Sequence, residues 1–183
     1  MNNYKIIFGG PVGAGKTTAV GALSDTPPVR TDTRATDQTR LRKAETTVAL
    51  DYGLIRLANG SAIHLYGTPG QERFDFMWDI LTEGGIGLVL LLDNAGPDPF
   101  ADLDFFLAAF RGFIHATAVV IGITRTDVRP VPTLDDYHRE LQRHGLDAVP
   151  VFEVDARERE DVSLLVEALL CSLDPVAATA TPP

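Results

Sequence analysis

Strand and helix patterns alternate along the chain and predict an α/β fold: a mixed six-stranded sheet with helices on both faces. Three observations carry this. Residues 86–92 and 118–123 are unbroken apolar runs, as strands of a parallel sheet covered on both faces require. A glycine-rich sequence, Gly10-Pro11-Val12-Gly13-Ala14-Gly15-Lys16-Thr17, joins an apolar strand to a helical pattern. Asn59-Gly60 separates two further strand patterns, a type I′ hairpin signal that makes the second strand antiparallel to the third.

The strands are expected at 4–9, 47–57, 61–67, 86–93, 117–123 and 149–154. In the second, Val48, Leu50 and Tyr52 alternate, then Ile55 and Leu57 fall on the other parity. Gly53 at the slip suggests a bulge. The first helix follows Gly15 and runs to about Ser24. The next opens at Asp98-Pro99, an N-cap with proline at the first position, and its apolar face is Leu103, Phe106, Leu107 and Phe110. A third spans 134–144, capped by Thr133 with Asp136 three residues on and stopped by Gly145. The last runs from Glu160 to Leu173 through Val162, Leu165, Val166 and Leu169.

At 183 residues the chain suits one domain with a full core, expected over 1–173 with a Pro/Ala/Thr-rich flexible tail at 174–183. The net charge of −9 argues against nucleic-acid and anionic-membrane binding. The single cysteine, Cys171, forms no internal disulfide and excludes a multi-cysteine metal site. With no signal peptide, membrane span or lipidation box, the expected location is cytoplasmic, without a stable membrane anchor. Residues 25–47 carry seven threonines, five Arg/Lys and four Asp/Glu; a polar insertion of this length is usually functional or mobile.

The glycine-rich loop matches G-x-x-x-x-G-K-[ST] in the context the motif needs. Its glycines let successive N–H groups curl toward phosphate oxygens, and the helix N-terminus adds its positive end. Gly10, Gly13, Ala14, Gly15, Lys16, Thr17 and Thr18 are the candidate phosphate-binding residues. Lys16 is a mobile cation for the β- and γ-phosphates. Thr17 offers its hydroxyl to Mg²⁺. The loop specifies a nucleoside di- or triphosphate but not its base.

Gly70-Gln71-Glu72-Arg73-Phe74 resembles the second switch of Ras-like small GTPases, and Thr68-Pro69-Gly70-Gln71 resembles bacterial Ras-like GTPases of the gliding-motility and roadblock-associated type. Thr46 to Gly53 resembles the first switch, Thr124-Arg125-Thr126-Asp127 the base-recognition motif, and Asp155-Ala156-Arg157 the loop behind the base. The order of all five motifs is the family's, over about 1–173. The resemblance implies a P-loop fold, GTP/GDP and Mg²⁺ as ligands, Thr17 and Thr47 on the metal, and Gly70 on the γ-phosphate. It further implies Gln71, with Lys16 and Thr47, in hydrolysis, and a regulatory or effector protein of roadblock type on segments 30–47 and 70–82. Chemistry agrees with several of these roles. A carboxylate at Asp127 accepts two hydrogen bonds from guanine that adenine cannot give. The stem of Arg125 can lie along the base, and the Gln71 amide can orient water for in-line attack.

The sequence departs from the pattern at Gly67, where the family has an aspartate that holds Mg²⁺ through water. Asp32, Asp37 and Asp51 are the candidates to substitute for that carboxylate. Arg30, Arg34, Arg40, Arg42 and Lys43 are candidates for a cationic finger, against the reading of a solvated loop. Asp93 reads as a capping carboxylate. Trp78 is balanced between core and partner surface. The four histidines show no ligand spacing. The expected function is a switch that hydrolyses GTP slowly without a partner. A non-hydrolysing nucleotide-binding scaffold, a GTP-dependent metallochaperone of the urease/hydrogenase-accessory kind and a small-molecule or nucleotide kinase stay open as alternatives.

Overall fold

The computed structural model describes residues 3–27, 29–30, 50–71 and 76–173, with backbone alone at 29–30 and 76–77. Thr47, Glu72 to Phe74, the cationic candidates from Arg34 to Lys43, and the tail at 174–183 lie outside the described residues, as do the side chains of Arg30, Phe76 and Met77.

The strands are β1 (Asn3–Gly9), β2 (Val29–Arg30), β3 (Asp51–Arg56), β4 (Ala62–Gly67), β5 (Gly87–Asp93), β6 (Ala118–Thr124) and β7 (Val151–Glu153). The helices are α1 (Lys16–Leu23), α2 (Phe76–Thr82), α3 (Pro99–Ala109), α4 (Arg111–Ala116), α5 (Leu134–Arg143) and α6 (Arg159–Leu173). The sheet order is β2-β3-β4-β1-β5-β6-β7. The six expected strands are all there, and the two-residue β2 adds a seventh at the edge. The pairs β1/β4, β1/β5, β5/β6 and β6/β7 are parallel, whereas β3 is antiparallel to both its neighbours.

β5 and β6 are buried along their full length, because helices cover both faces. On one face Phe8, Val89, Leu91 and Val120 pack with Val20 and Leu23 of α1 and Val162, Leu165 and Leu169 of α6. On the other, Ile7, Leu88, Leu90 and Ile121 pack with Leu103, Phe106 and Phe110 and with Tyr137 and Leu141 of α5. The helix expected from Asp98-Pro99 is α3; Phe110, the last residue of its expected apolar face, closes it and opens α4. Asp98 caps α3 through the Ala101 N–H at 3.0 Å, and Thr133 and Asp136 form the expected capping box on α5.

Two local expectations are corrected. β3 and β4 pair without interruption from Asp51↔Gly67 to Arg56↔Ala62, so Gly53 marks no bulge. The change of parity reflects burial on both faces: Ile55 and Leu57 join the α1 side while Tyr52 meets Tyr66 on the other. Gly53 is glycine because a Cβ there would stand 2.9 Å from Val20 Cγ1 and 3.0 Å from Ser24 Cβ. The turn is not type I′ either. Asn59 does not take positive φ, Gly60 does at 81°, and Leu57 N–H donates to the Ser61 carbonyl at 2.9 Å. This is a three-residue connection with its last residue left-handed.

Trp78 belongs to the core. It is 2% exposed, stacks on Phe110 at 5.1 Å, and donates its indole N–H to the Pro69 carbonyl at 3.2 Å. This bond ties α2 to the loop at Pro69, while Ile80 on the same helix faces solvent.

Candidate functional site

The ends of β1, β4, β5, β6 and β7 converge on one edge of the sheet, where open α/β sheets hold ligands. After β1 the chain curls through Gly10, Gly13 and Gly15, with φ of 133°, 88° and 94°. These angles suit glycine and turn the loop back on itself. Two of the three are also sterically required. A Cβ on Gly10 would lie 2.0 Å from the Leu91 carbonyl oxygen, and one on Gly15 would lie 2.8 Å from Ala156 Cβ.

The cleft beside this loop has a volume of about 540 Å³. Gly13, Ala14, Gly15 and Thr18 form one wall, facing Thr124, Arg125 and Asp127 and the loop Asp155, Ala156 and Arg157. Ten residues expected to bind nucleotide, from three separate segments, thus line a single cleft. Their individual roles divide. The buried Thr124 hydroxyl donates to the carbonyls of Ala14 (3.2 Å) and Leu92 (3.1 Å). It ties the phosphate loop to the sheet and is a positioning group.

Arg125 is left-handed at φ 60° and its guanidinium is held by Asp93 at 2.5 Å, which leaves its stem along the cleft. Asp93 also accepts from the Ala95 N–H at 2.9 Å, so it is both turn cap and arginine anchor. Asp127 is exposed on the cleft wall. The Asp155 carboxylate is engaged by the Arg157 side chain and by its backbone N–H at 2.9 Å. Hydrogen bonds from Arg157 lower its pKa to about 2, so it is ionised throughout the physiological range.

The loop bearing Arg125 and Asp127 is fastened from behind. Buried Asn94 donates to the carbonyls of Arg129 (2.6 Å) and Pro132 (3.1 Å) and accepts from the Tyr137 hydroxyl at 2.8 Å. Nothing in the local sequence marks Asn94, because its partners come from two other segments.

At the phosphate end, Lys16 is 7% exposed and donates to the carbonyls of Gly10 (2.7 Å) and Pro11 (2.6 Å). Burial lowers its pKa to about 8, offset in part by the Asp51 charge. Gly70 rests on this loop: a Cβ there would stand 2.6 Å from Val12 N and 2.7 Å from Lys16 Nζ. Gln71, next in the chain, is exposed.

The position of Gly67 is answered by Asp51. The two residues are register partners across β3 and β4, and the Asp51 side chain occupies the space a Cβ on Gly67 would enter, at 3.0–3.1 Å. Thr17 donates its hydroxyl to Asp51 Oδ2. A hydroxyl and a carboxylate thus meet at the mouth of the phosphate loop, an oxygen donor pair suited to Mg²⁺. Of the three carboxylates named from sequence, Asp51 is the one brought to Thr17; Asp32 and Asp37 lie outside the described residues.

The family model described as "Conserved hypothetical ATP binding protein" matches residues 8–144. An uncharacterized protein of Methanocaldococcus jannaschii is 32% identical over 142 residues, covering 75% of this chain and 79% of its own length. Among the described residues, no helix is long and apolar enough to cross a membrane.

Proposed function

We propose that this chain, which belongs to the family of conserved hypothetical ATP-binding proteins, is a guanine-nucleotide switch that hydrolyses GTP to GDP. Nucleotide binding follows from the family and the phosphate loop together. One observation supports the base: Asp127 lines the same cleft as Gly13, Ala14, Gly15 and Thr18, with its carboxylate acceptor opposite the phosphate loop. Guanine's ring N–H and amine both donate to such an acceptor, whereas adenine would leave it buried and unpaired. The expected result is tighter binding of GTP than ATP. Asp127→Asn should shift preference from GTP toward xanthosine triphosphate by at least about tenfold, read by competition titration. Equal affinity for GTP and ATP in the original protein overturns the guanine assignment and leaves nucleotide binding in place.

Hydrolysis is supported by the phosphate end. Lys16, buried on the phosphate loop, is the cation proposed for the β- and γ-oxygens, and Gly70 rests beside it. Thr17 and Asp51 would hold Mg²⁺, which when bound neutralises charge on the phosphate oxygens. Gln71, adjacent to Gly70, is proposed to orient the attacking water. Release of phosphate would free Gly70 and the segment after it, which is the proposed means of signalling to a protein partner. Gln71→Leu should slow single-turnover hydrolysis while leaving GTP affinity intact.

Lys16 also sets a pH dependence. Its pKa is lowered to about 8 in the free protein, and bound phosphates favour its charged form. Above pH 8 the free protein loses this proton, so binding must take one up. Affinity should therefore be flat below about pH 8 and fall above it, toward about tenfold per pH unit. Calorimetric titration in buffers of different ionisation enthalpy would read the proton uptake. Affinity independent of pH across this window would show that Lys16 does not meet the phosphates.

A further inference from the structure

We propose a second site, away from the nucleotide cleft, at which Asp104, Glu140 and His144 bind a borderline divalent cation such as Zn²⁺. The site joins two helices. Glu140 and His144 lie one turn apart at the end of α5, which places them on one face, and Asp104 comes from α3. One ligand atom from each lies within 4.8 Å of the other two. His144 Nε2 is already 2.7 Å from Asp104 Oδ1. Tetrahedral zinc with bonds of about 2.0–2.2 Å needs ligand atoms about 3.4 Å apart, so small side-chain rotations close the three onto one ion.

The chemistry of the donors selects the metal. An imidazole nitrogen with two carboxylate oxygens suits Zn²⁺, Co²⁺ or Ni²⁺, whereas Mg²⁺ prefers oxygen alone and keeps its water. The ion would replace the proton linking His144 to Asp104. The site opens on a recess of about 360 Å³ lined by Asp104, His144, Arg111, Ile114 and His115. His115 is the side chain there with the chemistry for a fourth ligand, and the recess admits water in its place. Glu140 is held through Oε2 by Arg143 at 2.5 Å, so Arg143 competes with the metal. Cys171 has no part in this site.

The test is calorimetric titration of the full chain with ZnCl₂, with Asp51→Ala run in parallel to identify any Zn²⁺ taken by the Thr17–Asp51 pair. One Zn²⁺ per chain is expected. His144→Ala and Glu140→Gln should each weaken it by about tenfold or more. Arg143→Ala should strengthen it by releasing Glu140, an effect that a purely structural clasp between the helices would not produce. The readout is Zn²⁺ binding itself, so its outcome does not depend on the nucleotide reading. Glu140→Gln keeps the size of the side chain, so it serves if His144→Ala does not fold. Absence of Zn²⁺ binding by the original chain, or equal binding by Glu140→Gln, overturns the site.

Discussion

Replacing Asp51 with alanine should weaken Mg²⁺ binding in the diphosphate complex, and slow Mg²⁺-dependent hydrolysis, by about 10–100-fold. Asp51 reaches the Thr17 hydroxyl from β3 and fills the place where a side chain on Gly67 would stand. Gly67→Asp alone should not improve the site. Its Cβ would press on Asp51 at 3.0–3.1 Å, and two adjacent carboxylates would repel. The informative variant is the exchange Asp51→Gly with Gly67→Asp, which moves one carboxylate between paired strands. It should recover most of what Asp51→Ala loses and exceed Gly67→Asp, a non-additivity expected of residues in contact. Single-turnover hydrolysis across a Mg²⁺ titration reads all four proteins. An Asp51→Ala protein with the original Mg²⁺ dependence would sink this role.

Gly10→Ala should be among the most destabilising single changes in the chain. Its φ of 133° is one that alanine rarely adopts, and the added Cβ would lie 2.0 Å from a backbone carbonyl of β5, itself buried. Backbone cannot swing away as a side chain can, so β1 and β5 must separate or the loop must unwind. The cost should exceed about 3 kcal/mol, a fall of roughly 6–12 °C or more in melting temperature for a chain of this size. Gly13→Ala is the control. It shares positive φ, but its Cβ meets nothing nearer than Asp93 Oδ2 at 3.9 Å, so it should cost only the backbone penalty of about 1–2 kcal/mol. Thermal unfolding of both proteins tests this. A Gly10→Ala chain as stable as Gly13→Ala would mean that the β5 carbonyl yields freely.

Much of this molecule was legible in its sequence because the signals are local. A strand buried on both faces must be apolar throughout, so β5 and β6 announced themselves. The phosphate loop is a run of neighbours whose spacing alone sets where its amides point. Asp98, Thr133 and Asp136 cap helices within three residues of themselves. The distant members of the cleft, Thr124, Asp127 and Ala156, are singled out by the resemblance of their motifs to a known family, with a readable strand ahead of each.

Tertiary structure decided whatever depends on register or on which faces meet. A two-residue turn at Asn59-Gly60 would set Asp51 opposite Thr68; the three-residue turn sets it opposite Gly67, and a slip of one residue moves a side chain to the other face of the sheet. That single step makes Asp51 the carboxylate beside Thr17. Trp78 had equal claims to core and surface until Phe106 and Phe110 enclosed it. Gly53 read as a bulge, yet it is small because α1 crosses above it. Asn94, and the cluster of Asp104 with His144, draw partners from some forty residues away. Composition and periodicity specify which residues are buried and in what element, whereas contacts between elements far apart in the chain are decided by how their faces pack.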